Sequence, residues 1–169
     1  MPNLSAVPAV LFALALALAG VAQAQTAPAA TPPAFEKKTY NYADWTKGRF
    51  SEAVTVTGPA KTIFLAGIGA EDEEAKPGTI RHPGDFAGQC KYAYEKIKSA
   101  LAKNGATMGD VVKMVTYVTD IRFQPLYGPC RTEAFAGQPL PAHTFLNINQ
   151  LAWPGMLVEI DVTAMVPLK

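Results

Sequence analysis

A two-layer α+β domain, with a mixed sheet covered by two helices, is the fold class that this 169-residue sequence predicts. Three observations carry that expectation. Segments of period-2 alternation surround two segments of helical period, in the order β-β-α-β-α-β-β. Each helical segment is amphipathic, so each buries one side only, against a sheet. Residues 141–166 (PAHTFLNINQLAWPGMLVEIDVTAMV) alternate twice around a Pro154-Gly155 turn, which reads as two final strands joined as a hairpin. Both alternating runs need a core on one face and leave the other free.

Residues 1–24 read as a signal peptide. An apolar run from about Ala6 to Val21 is followed by Ala22-Gln23-Ala24, with small residues where a signal peptidase reads and Gln25 as the new N-terminus. No Lys or Arg precedes the run. The expected address is outside the cytoplasm, in the periplasm of a Gram-negative bacterium or secreted. No later stretch is long and apolar enough to span a bilayer, so no membrane association is expected after cleavage. Residues 25–48 form an Ala/Pro-rich linker and N-terminal arm: 25–34 is expected to be disordered, and Phe35, Tyr40, Tyr42 and Trp45 to pack on the domain. The folded domain is expected over 49–169. A formal net charge of +1 argues against nucleic acid as a partner.

Within the domain, residues 49–57 (RFSEAVTVT) and 61–68 (KTIFLAGI), turned by Gly58-Pro59, read as an antiparallel hairpin. Residues 69–84 are loop. Their acidic run, Glu71 to Glu74, lacks the spacing of a calcium loop and reads as solvated, as does His82. Residues 85–103 read as a helix capped by Asp85, with a core stripe of Phe86, Cys90, Ala93, Ile97 and Leu101, ended at Asn104-Gly105. Residues 111–119 (VVKMVTYVT) are a β-branched strand. A second, less regular helix lies within 122–135, its secure part beginning at Pro129 as a first-turn proline. The sheet face away from the helices is expected to carry Phe145 or its neighbours and to drive self-association. The only two cysteines, Cys90 and Cys130, and the only two histidines give no metal-site spacing, and no metal is expected.

The spaced residues Gly78, Asp85, Gln89, Leu101, Gly105, Asp110-Val111-Val112-Lys113, Val118, Asp120, Glu133-Ala134-Phe135, Pro141-Ala142-His143 and Leu157-Val158-Glu159-Ile160-Asp161 resemble the Rid family. These are enamine/imine deaminases, also called YjgF/UK-type or endoribonuclease L-PSP proteins. The resemblance runs from about Phe50 to Val166. It implies a chorismate-mutase-like fold of the bacillus type, and a homotrimer with three intersubunit clefts lined by the final strands. It implies hydrolysis of a small imine or enamine without any cofactor. By position, Glu159 is the catalytic carboxylate, with Asp161 two residues on. Gly67, Phe50 and Phe145 are substrate-binding, Phe50 standing where active members often carry tyrosine and Phe145 where they often carry cysteine. His143 falls where active members carry the arginine that clamps the substrate carboxylate. The alternative is a non-catalytic trimer that binds a small molecule or a protein. Residue by residue, His143 reads as either a ligand-facing cleft residue or a packed interface residue, and Glu159 as either a catalytic base or an edge charge. In the implied topology the two helices run side by side, so Cys90 and Cys130 form either a disulfide or two buried thiols. A ribonuclease reading rests on the older family name alone and is opposed by the near-zero net charge.

Overall fold

The computed structural model describes residues 31–168. The signal-peptide expectation for 1–24 lies outside the described residues. The β-branched run Val111–Val118 (β4) is the strand that sets the two faces of the sheet. Val111, Met114, Thr116 and Val118 are buried under the helices. Val115 and Tyr117 face the other way, as a two-residue repeat demands.

Around β4 the elements are β1 (Glu36–Tyr40), β2 (Ala53–Thr57), β3 (Ala60–Gly69), α1 (Phe86–Lys103), α2 (Gln124–Phe135), β5 (Ala142–Asn147) and β6 (Val158–Pro167). The main sheet has the order β3-β6-β4-β5, with β4–β5 parallel and the other pairs antiparallel. Both helices lie on one face of it, as expected of the two-layer α+β class. The core joins Tyr94, Ile97 and Leu101 of α1 and Phe135 of α2 to Met114, Val118, Ile160 and Val162 of the sheet. Asp85 caps α1 by accepting from the Gly88 N–H, and Gly105, at φ +75°, takes the left-handed turn beyond its end.

Four expectations are corrected. The N-terminal arm contains a strand: β1 pairs antiparallel with β2 in a separate two-stranded sheet. The 49–57 and 61–68 segments are therefore not a hairpin, since β2 pairs with β1 and β3 with β6. β5 and β6 are not a hairpin either, because β4 lies between them. The connection 148–157 is long enough to cross β4, and buried Gln89 holds its end, donating to Gly155 O at 2.9 Å and accepting from Leu157 N–H at 2.8 Å. Finally, α2 begins at Gln124, with Pro125 in its first turn and Pro129 inside the helix. Pro129 denies the Pro125 carbonyl its helical donor, but Pro125 is exposed, so water can take that place.

Cys90 and Cys130 are joined by a disulfide that ties α1 to α2, with Cα atoms 6.5 Å apart. Among the described residues no helix is long and apolar enough to cross a membrane, and no cluster of three or more His, Cys, Asp or Glu is placed to hold a metal ion.

Candidate functional site

Parity on β5 decides what His143 meets. His143 pairs with Met114 and Phe145 with Thr116, both on the helix-covered face of β4. Their side chains therefore point under α2. Phe145 packs on Tyr127, so of Phe145 and its neighbours it is Leu146 that the uncovered face carries.

His143 is the end of a buried hydroxyl network. Its Nε2 lies 3.0 Å from Thr116 Oγ1 and 3.3 Å from Tyr127 Oη. Tyr127 Oη is in turn 2.8 Å from both Thr116 Oγ1 and Tyr94 Oη. The imidazole stacks on the Tyr127 ring, centroids 5.5 Å apart. Burial, followed by the nearby charges of Arg131 and Lys113, pushes the His143 pKa down to about 3. His143 is thus neutral at physiological pH and cannot supply the fixed charge of an arginine.

A cleft of about 610 Å³ opens beside this network, between β5, α2 and the segment before β2. Phe50, His143 and Phe145 line it, with Trp45, Tyr127 and Arg131. Trp45 meets Phe50 edge-on at 5.5 Å. Tyr127 and Arg131 were not foreseen as site residues. They are four apart on α2 and so share a helix face; placing the secure start of the helix at Pro129 left Tyr127 outside it and hid the pairing.

Glu159 and Gly67 are elsewhere. Glu159 pairs with Tyr117 on β4 and with Gly69 on β3, on the uncovered face of the sheet. Gly67 lies in a bulge of β3, and a Cβ there would sit 2.1 Å from Glu159 Oε1. The missing side chain is the room that the carboxylate occupies. Burial first, then the charges of Glu71 and Asp161, holds the Glu159 pKa above the usual carboxylate value. Asp161 is on the same face and accepts from Tyr117 Oη at 3.1 Å. The anticipated site residues therefore form two groups: Phe50, His143 and Phe145 under α2, and Gly67 and Glu159 across the sheet. The sheet separates them within one chain.

Residues 43–166 match the family described as Endoribonuclease L-PSP. The chain belongs to this Rid/YjgF-type family. Among its relatives, a RutC family protein of Pyrococcus abyssi (strain GE5 / Orsay) is 32% identical over 117 residues, 69% of this chain and 86% of that protein. The crystal structure of a Rid-family protein from Yersinia pestis, described there as of unknown function, superposes with a TM-score of 0.66 at 27% identity. It covers 77% of this chain and 98% of its own. A YjgF/YER057c/UK114 family member from Mycobacterium tuberculosis does so at 0.51 with 28% identity, over 78% of this chain and 100% of its own. These likenesses fit the two-layer arrangement of one mixed sheet and two helices. Within the cleft of this Rid-family chain β5 contributes a neutral histidine, and the cations are exposed Arg49, just before Phe50, and buried Arg131 of α2.

Proposed function

We propose that this Rid-family protein hydrolyses the C=N bond of a small imine, or the imine tautomer of an enamine, in a cleft completed between copies of a homotrimer. Water adds to the imine carbon as a carboxylate takes one of its protons. The carboxyl group returns that proton to nitrogen, and the C–N bond breaks as the new hydroxyl gives up its proton to the departing ammonia and the carbonyl forms. The observation that carries this reading is Glu159. It is a carboxylate of raised proton affinity, standing in the space left by Gly67 on the uncovered sheet face. A carboxylate of raised proton affinity is a stronger base than an ordinary glutamate. The cleft under α2 supplies the walls, and Glu159 of a neighbouring copy supplies the base. Exposed Phe64 and Leu146 give the uncovered face apolar area for that contact. We also propose that the mature chain works outside the cytoplasm. The Cys90–Cys130 disulfide supports that address, since such bonds persist in oxidising compartments.

The test is ammonia release from an imino acid made in situ by an amino-acid oxidase, above the spontaneous rate. Wild type is expected to accelerate release, and Glu159→Gln to lose at least about a hundredfold, the lower range for general base catalysis. The acid limb of kcat/KM is expected above the ordinary glutamate range and absent in Glu159→Gln. A wild type no faster than buffer, which nevertheless binds small molecules in the cleft, favours the second reading, ligand binding without turnover. The observation behind that reading is the neutral His143 at the arginine position.

A further inference from the structure

We propose that Arg131 is the anion-binding residue of the cleft, and that the ligand it selects is an aromatic or otherwise planar conjugated carboxylate. This deepens the reading above by naming the ligand class, and it stands on three independent features of the cleft.

The first is an unpartnered cation. Arg131 is 8% exposed, and its Nε is buried with no hydrogen-bond partner. Among the described residues no carboxylate lies within ion-pair distance of it. The guanidinium carbon lies 5.8 Å from the centre of the Tyr127 ring. A buried guanidinium without an anion is rare in a folded protein, and its planar fork matches a carboxylate. The second feature is position. Arg131 lines the same cleft as His143, and it is the buried one of the two arginines there, since Arg49 is exposed to water. The Thr116–Tyr127 hydroxyls hold His143 Nε2. The third feature is the rest of the lining. Trp45, Phe50, Tyr127 and Phe145 put four aromatic rings around a space of about 610 Å³. A three-carbon acid would leave most of that wall without contact. A ring bearing a carboxylate stacks on the aromatics while its anion reaches Arg131.

The experiment is calorimetric titration of the intact oxidised protein with stable probes, independent of turnover: phenylpyruvate, its methyl ester, and pyruvate. Phenylpyruvate is expected to bind at least tenfold more tightly than either of the others. Arg131→Gln is expected to lose at least tenfold for phenylpyruvate and to leave the already weak ester unchanged. Arg131→Lys restores only part, because an ammonium lacks the fork. Equal affinity for the acid and its ester overturns the proposal, as does an unaltered affinity in folded Arg131→Gln. Pyruvate binding as well as phenylpyruvate overturns the aromatic part. If Arg131→Gln does not fold, the acid-against-ester comparison is made on Arg49→Gln: a retained tenfold preference for the acid assigns the anion to Arg131, and its loss overturns the proposal. Failure here with imine hydrolysis intact removes the ligand class and leaves the reaction standing; binding without hydrolysis does the reverse.

Discussion

His143 is a base whose protonation the fold opposes. Its ring is enclosed by Thr116, Tyr127 and Phe145, and a charge there would be poorly solvated and close to Arg131 and Lys113. The sign of the pH effect follows. Above its ordinary pKa of 6.5 the ring is neutral in both folded and unfolded chains. Between 6.5 and about 3 the unfolded chain takes up a proton that the folded protein refuses, so stability falls as pH falls through that window. The slope from this one group reaches about 1.4 kcal/mol per pH unit. Urea unfolding at intervals from pH 7 to pH 4 is expected to show this loss, and His143→Gln to flatten it. Parity along β5 was legible at this scale: His143 and Phe145 do share a face. That Glu159 faces away from them was not, because it depends on which strand separates β5 from β6. Arg131 was not legible either. Nothing in the local pattern distinguishes a buried, unpaired arginine from the solvated kind that helices usually carry.

At the scale of elements, α2 forms one wall of the cleft, and a covalent bond fixes it. The disulfide closes a chain segment with a sequence separation of 40, enclosing most of α1, all of β4 and the first half of α2. Loop-closure entropy for a segment of that length corresponds to about 4 kcal/mol in the chain-entropy treatment. The double variant Cys90→Ala/Cys130→Ala is expected to be less stable by about 2–4 kcal/mol in urea unfolding, with two-state behaviour retained. Because Tyr127 and Arg131 flank the anchored Cys130, the same variant is also expected to bind cleft ligands more weakly. α1 was legible nearly to the residue, since its stripe, its Asp85 cap and its Asn104-Gly105 end are all local signals. The two apparent hairpins misled for the opposite reason. Breaker pairs such as Gly58-Pro59 and Pro154-Gly155 report that the chain turns, not which strand it meets afterwards. Glu36–Tyr40 gave no alternating apolar signal, as its exposed, charged residues show, and the strand exists through its pairing with β2.

For the whole molecule, strand order governs how many chains a working site requires. The β3-β6-β4-β5 arrangement turns the binding cleft to one side of the sheet and Glu159 to the other. A closed ring of identical copies joins one patch of each chain to a different patch of the next, which is the contact that brings such halves together. In the proposed homotrimer each chain then lends its cleft to one neighbour and its carboxylate to the other. Two differently damaged chains can therefore repair one another. Arg131→Gln and Glu159→Gln proteins, each impaired alone, are expected to recover activity when unfolded together in equal amounts and refolded as mixed trimers. Random assembly around a three-fold ring would return about one quarter of the wild-type clefts. A mixture that stays as impaired as its parents would place both groups in the service of a single chain.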